Sequence, residues 1–345
     1  MTLYPDPDHS LLSLPPPALG TEAMAGLAAR CYGLSGTLTP LTSERDLNHR
    51  LTTATGRDFV LKLSNPAEPV EVTAFQTAAL QHVATTAPAL PVPRVLSDLK
   101  GRSVVPTPFG ALRLLSWVSG MPLHATPRSP AQRRAIGTAL ASLTTALHSF
   151  DHPGADHFLL WDIKRAPSLL PLLPAIPDPT LRAEATTFLN RFTADVAPAL
   201  ATLPRQVVHC DFNPHNLLVD SADPTKITGI LDFGDMVRTP RICDLAIAAS
   251  YLLDHDAALT NLADLLHGYA QVLLLTDTEI ALLFDLITAR LFTTVTITSW
   301  RAARYPDNAA YIMRNHASAV AGLAAFRALD PAHATARFAR ASGKE

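Results

Sequence analysis

The run Val208-His209-Cys210-Asp211-Phe212-Asn213-Pro214-His215-Asn216-Leu217-Leu218-Val219 is followed closely by Gly229-Ile230-Leu231-Asp232-Phe233-Gly234-Asp235. Each stretch sets an acid on a loop beside a short apolar run of strand character. Asn216 lies five residues after Asp211. Two carboxylates and a side-chain amide are hard oxygen donors, the kind that suits Mg²⁺. Far upstream, Asp58–Leu63 reads as a half-buried strand, with Phe59, Leu61 and Leu63 on one face and Val60 and Lys62 on the other.

Phosphoryl transfer asks little covalent chemistry of a protein. It needs divalent metal on the phosphates, a further cation, and a carboxylate to orient and deprotonate the attacking hydroxyl. Asp211 suits the carboxylate role. Asn216 and Asp232 suit Mg²⁺, Gly234 allows a tight turn, and Lys62 can reach the α- and β-phosphates of a nucleotide. His-x-Asp-x-x-x-x-Asn alone is a weak motif. An Asp-Phe-Gly downstream and a strand lysine upstream make the combination specific.

Around these motifs the chain falls into three parts. Residues 1–18 form a proline-rich, irregular arm that includes Pro15, Pro16 and Pro17. Residues 19–118 mix a helix over Thr21–Tyr32, strands over 47–51, Asp58–Leu63, 104–105 and 111–118, and a second helix over 70–83. A turn at Gly120-Met121-Pro122 opens a mainly helical part, 119–345. Its helices are expected at 131–150, 178–203, 243–253, 259–273, Asp277–Arg304 and 308–329, with apolar strands at 206–209 and 227–231. The class is α+β: a small lobe with an antiparallel sheet and helix, then a larger helical lobe.

Composition narrows the function classes. Hydrophobic residues make up 48% of the 345, enough for a large core. A formal net charge of −2 argues against nucleic acid as a partner. Cys31, Cys210 and Cys243 are dispersed and odd in number, which points to a reducing compartment. Residues 1–10 lack a basic and then apolar signal pattern. Apolar runs such as 245–253 fall short of the roughly 20 residues that span a bilayer. A cytoplasmic protein with no membrane partner is the expectation.

The two acidic motifs and the strand lysine resemble the kinase-like superfamily of aminoglycoside phosphotransferases, choline kinases and type II homoserine kinases. Ser43-Glu44-Arg45-Asp46-Leu47-Asn48, Phe59-Val60-Leu61-Lys62-Leu63, Arg113-Leu114-Leu115, Leu160-Trp161-Asp162, Asp244-Leu245-Ala246 and the segment from Trp300 to Asn308 are similar to the hydroxylysine kinase branch. The resemblance covers roughly residues 20–325 and implies a bilobal, protein-kinase-like fold. It implies Asp211 as catalytic base, Asn216 and Asp232 as metal ligands, and Lys62 as the phosphate-binding lysine. His209 would shape the catalytic loop and Asp244 would anchor it. A hinge over 115–118, with Leu115, Ser116 and Val118, would hold the base of ATP or GTP.

Two departures stand out. The chain has no Gly-x-Gly-x-x-Gly loop; residues 43–48 occupy its place, leaving Ser43 or other backbone to hold phosphate. The helix acid that pairs with the strand lysine in protein kinases is either Glu71 or replaced by Gln76.

Other residues carry two readings each. Lys62 by itself would pass for a solvated strand lysine. Cys210 is a nucleophile only if a base and a lowered pKa accompany it; otherwise it is a small semi-buried side chain. His215 is a loop histidine or a ligand. Asp235 is a contact for a substrate ammonium or a plain loop carboxylate. Trp300 is core or a cation-binding wall. Arg301 binds a substrate carboxylate or lies on a solvated helix face. The leading expectation is a kinase of an amino alcohol or hydroxy amino acid, hydroxylysine first. Homoserine, ethanolamine, choline or an aminoglycoside are other acceptors, and a nucleotide-binding pseudokinase is the alternative of another class.

Overall fold

The computed structural model describes residues 16–43, 45–253 and 257–344. Most of the expected N-terminal arm, residues 1–15, lies outside them; 16–20 are irregular. The chain divides into two compact units. One takes Met1–Ser119, Asp151–His157 and Gly229–Leu231, and the other takes Gly120–Phe150, Phe158–Thr228 and Asp232–Glu345.

The first unit runs α1 (Thr21–Tyr32), β1 (Gly36–Leu41), β2 (Leu47–Thr53), β3 (Asp58–Leu63), α2 (Val70–Thr86), β4 (Val95–Leu96), β5 (Val105–Thr107) and β6 (Gly110–Ser116). The strands form one antiparallel sheet in the order β1-β2-β3-β6-β4, with β5 also on β6. Alternation along β3 does what the sequence dictates: Phe59, Leu61 and Leu63 are buried in one cluster with Met24, Leu27 and Ala28 of α1. Full burial of such a side chain contributes about 1.5–3 kcal/mol. The register sets Lys62 between Asn48 of β2 and Arg113 of β6. Paired residues share a face, so these three polar side chains lie opposite the apolar ones. Strands β1 and β4 escaped the sequence reading: β1 carries Pro40 and little alternation, and β4 has two residues.

The second unit begins with β7 (Met121–Pro122), α3 (Pro130–Ala146) and a 3₁₀ stretch at Ile163–Ala175. It continues with α4 (Pro179–Arg191), α5 (Ala197–Ala201), β8 (Arg205–Val208), β9 (Leu217–Val219), β10 (Ile227–Ile230) and β11 (Val237–Pro240). The end of β10 belongs to the first unit. Then come α6 (Ile242–Ser250), α7 (Ala258–Ala270), α8 (Asp277–Arg304), α9 (Ala309–Ile312), α10 (His316–Arg327) and α11 (Pro331–Ala341).

Two expected helices are broken. The one over 178–203 passes through a π-helical turn, Phe192–Val196, just before Pro198, whose missing N–H cannot close an α-helical bond. The one over 308–329 is interrupted at Met313–Asn315. Helix α11 was not anticipated, although its start is signalled: Asp330 accepts the N–H groups of Ala332 and His333, and Pro331 opens the helix.

Helix α8 corrects the expectation that no stretch is long enough for a bilayer. It has 28 residues, with a window of mean hydropathy 1.7, and 78% of that window is buried inside the protein. It packs against α6, α10 and α11. Its apolar character thus matches a core helix, started by a capping box between Thr276 and Glu279.

Helices α3 and α7 approach until backbone meets backbone. A Cβ on Gly137 would lie 2.1 Å from the Leu265 carbonyl oxygen, and one on Gly268 would lie 1.9 Å from that of Arg134. Gly268→Val is therefore expected to destabilise the protein by on the order of 1–3 kcal/mol, measured as a lowered urea midpoint; an unchanged midpoint would contradict this close packing.

Candidate active site

Strands β8 and β11 pair antiparallel, with Val208 opposite Val237. The chain leaving β8 at His209 and the chain entering β11 from Asp232 therefore meet at the same end of one ribbon. Two motifs separated in sequence converge by register.

Asp244, in the first turn of α6, fixes the loop. Its buried carboxylate accepts the N–H of His209 at 3.1 Å and of Cys210 at 2.9 Å. Cys210 is held at φ +62°, a left-handed conformation in which a non-glycine residue is strained. The His209 ring is wholly buried and packs edge-on against Phe212 at 5.8 Å and Phe233 at 4.9 Å. His209 thereby links the first motif to the aromatic residue of the second.

Asp211 follows, partly exposed, with its side chain held at both oxygens. Asn213 Nδ2 donates to Oδ1 at 2.8 Å and Asn216 Nδ2 to Oδ2 at 2.6 Å. Arg290 of α8 brings Nη2 within 3.5 Å of Oδ1. This guanidinium is 2% exposed, lies over the Trp161 ring at 5.0 Å and donates to the Trp161 carbonyl oxygen at 3.2 Å. Burial pushes the Asp211 carboxyl up, the charges of Asp235 and Asp232 push the same way, and Arg290 and the Asn213 hydrogen bond oppose them; the balance falls at about 7. A carboxylate there is matched to accepting a proton near neutral pH.

Asp232 is the second non-glycine residue in left-handed backbone, at φ +58°, with its side chain accepting the Gly234 N–H at 3.2 Å. The residue is exposed. Asn216 spends its Nδ2 on Asp211, so the amide has Oδ1 to offer a cation. Among the described residues no three His, Cys, Asp or Glu side chains are grouped as a metal cage. Mg²⁺ is commonly held by one or two carboxylates together with phosphate oxygens and water, and Asp232 with Asn216 is a donor set of that type.

The remaining expected residues are placed as follows. Arg301 is 5% exposed on α8, so it does not sit on a solvated face. It is about 16 Å along the helix axis from Arg290 at 1.5 Å per residue. Trp300 is half-buried beside it. Asp235 is near enough to Asp211 to act on its ionisation. In the first unit, Lys62 Nζ lies 2.8 Å from Asp46 Oδ2. Ser43 Oγ accepts the Asp46 N–H at 3.2 Å. Glu71 is exposed, whereas Gln76 is buried and donates to Glu68 at 3.4 Å. In the expected hinge, Leu115 pairs with Val60 and Val95 within the sheet, and the Ser116 N–H donates to the Arg94 carbonyl at 2.8 Å. Val118 follows the strand, half-buried. Sequence reasoning missed Asn213 and Arg290. The signal for Arg290 was a lone cation inside the apolar run Ala289-Arg290-Leu291 of a long helix.

The sequence profile of the phosphotransferase enzyme family matches residues 37–284. The chain belongs to that family. Among curated relatives, this phosphotransferase is 27% identical over 316 residues to a hydroxylysine kinase of Danio rerio, covering 86% of the chain and 88% of the relative. A hydroxylysine kinase of Mus musculus is 27% identical over 322 residues, covering 85% of each. Among solved structures, the microcompartment-associated aminopropanol kinase aligns with TM-score 0.68 at 18% identity, over 89% of this chain and 96% of that one. The amicoumacin kinase in complex with AMP-PNP and Ca²⁺ aligns with TM-score 0.67 at 15% identity, over 86% and 93%. These structures show that the phosphotransferase has the fold of that kinase group.

The Cys210 thiol is fully buried, and burial together with the charges of Asp162 and Asp244 raises its pKa well above the usual thiol value. That is the reverse of a nucleophile's environment. Iodoacetamide at pH 8 is expected to label half-buried Cys31 of the folded phosphotransferase and to spare Cys210 and Cys243, read by peptide mass spectrometry; modified Cys210 would refute the closed packing of this loop.

Proposed function

We propose that this phosphotransferase moves the γ-phosphoryl group of a Mg²⁺-bound nucleotide, ATP or GTP, onto the hydroxyl of a small amino alcohol or hydroxy amino acid, hydroxylysine-like first. The observation that carries this reading is Asp211. Both of its carboxylate oxygens are oriented by asparagines, and its proton affinity is lifted toward neutrality by burial and by neighbouring acids. Such a group can hold an acceptor hydroxyl and take its proton as the oxygen attacks. Arg290, buried against the same carboxylate, keeps its charge compensated and its direction fixed.

Asp232 and Asn216 would hold the metal, whose contribution is to neutralise charge on the phosphates. Lys62 would supply a cation to the α- and β-phosphates. Asp235 supplies a second negative charge near the base, suited to an acceptor that carries an ammonium group. The curated relatives named hydroxylysine kinase and the aminopropanol kinase neighbour support a hydroxylated amine as acceptor class.

Nucleoside diphosphate release, followed with ATP and with GTP across hydroxylysine, homoserine, ethanolamine, choline, aminopropanol and an aminoglycoside, tests the acceptor class. Turnover with a hydroxylated amine is expected; silence across the panel with either donor would count against the proposal. Asp211→Ala is expected to lower turnover by about 10²–10⁴-fold while Mg²⁺-nucleotide still binds in calorimetry. Asp232→Ala is expected to lose the Mg²⁺-dependent part of nucleotide binding, and metal-nucleotide affinity equal to wild type would remove Asp232 from that role.

A further inference from the structure

A lysine whose ammonium must meet phosphate at a fixed point needs a counter-ion to hold its flexible stem. In protein kinases that anion comes from the helix following the strand. Here the first-turn acid of α2, Glu71, faces solvent, and position 76 is a glutamine. The anion arrives instead from the connection between β1 and β2. Asp46 Oδ2 lies 2.8 Å from Lys62 Nζ, with the two side chains 12% and 14% exposed.

Asp46 is itself fixed. Its Oδ1 accepts the Asn65 N–H at 3.2 Å, and its own N–H donates to Ser43 Oγ at 3.2 Å. Asn65, 4% exposed, also donates to the Arg45 carbonyl at 3.3 Å. Burial disfavours the ionised carboxylate, yet the charge and hydrogen bond of Lys62, with Arg45 and Arg113 behind it, hold the acid at about 2. Arg113, across the register from Lys62, is 2% exposed. A buried arginine beside Lys62 would repel its ammonium unless an anion were placed between such charges.

We propose that Asp46 is the positioning residue for the phosphate-binding lysine, replacing the helix acid with one carried on the connection between β1 and β2. This rests on the kinase reading above. It also accounts for Ser43 and Asp46 standing where a glycine-rich loop is expected: the serine hydroxyl accepts the Asp46 N–H, and Asp46 brings its carboxylate to Lys62.

The test is calorimetric titration of Mg²⁺-ATP and Mg²⁺-GTP into Asp46→Asn, Asp46→Glu and Lys62→Met proteins, with melting curves for each. Asp46→Asn keeps the shape and the backbone bonds but removes the charge. It is expected to weaken nucleotide binding by about tenfold or more, to raise the KM for nucleotide and leave that for the acceptor unchanged, and Asp46→Glu is expected to recover part of the loss. Nucleotide affinity equal to or tighter than wild type in Asp46→Asn, or a Glu variant no better than the Asn variant, would overturn the assignment of Asp46. If Lys62→Met also binds and turns over like wild type, the lysine's own role falls; impaired Lys62→Met beside an unaffected Asp46→Asn would overturn Asp46 alone.

Discussion

One carboxylate holds the loop after β8 in shape. Asp244 accepts two successive backbone N–H groups from a segment that has no other ladder to join. Left without it, each buried donor would cost about 1–3 kcal/mol, and Cys210 would lose the hydrogen bond that its left-handed backbone makes to Asp244. That conformation turns the chain sharply between β8 and Asp211. It brings the His209 ring inward against Phe233 and leaves the Asp211 side chain directed toward Asn213, Asn216 and Arg290. A residue in a helix therefore governs the geometry of a carboxylate 33 positions earlier in the chain.

The site is also a balance of charge. Asp232 and Asp235 act against the charge on Asp211, and buried Arg290 offsets it. Arg290 is in turn held by Trp161 through its ring face and its carbonyl, and by the Tyr251 hydroxyl at 3.4 Å. The next residue, Asp162, accepts from Thr239 of β11 at 2.9 Å and pairs with Lys164 at 2.9 Å. The short Trp-Asp motif thus supports both the compensating cation and the strand that carries the second acidic motif to its place.

Much of this was legible from residue patterns because the elements concerned are strongly periodic or the motifs local. Strand β3 and helix α8 have the expected bounds, since their alternation and capping leave little freedom. The acids at 211 and 232 stand out because loop chemistry is compressed into few residues. What stayed hidden depends on distance along the chain. Nothing local to Asp46 says that it meets Lys62 across a strand pairing, and helix-based expectation looked to Glu71 or Gln76 instead. Arg290 is legible only as an anomaly in an apolar helix, with its partner 79 residues away. Very short strands such as β4, β7 and β9 exist through pairing alone, so propensity has little to say about them.

The register between β8 and β11 carries an evolutionary freedom. Because Val208 faces Val237, the distance between the two acidic motifs is set by a pair of strands rather than by the residues that connect them in sequence. The exposed turn at 220–226, where Asp220 accepts the Ala222 N–H and Asp223 accepts the Thr225 N–H and hydroxyl, can lengthen or shorten without changing that strand pairing. Descendants of this gene could therefore remodel that surface, or fuse new recognition elements into it, while the chemistry beneath stays in alignment.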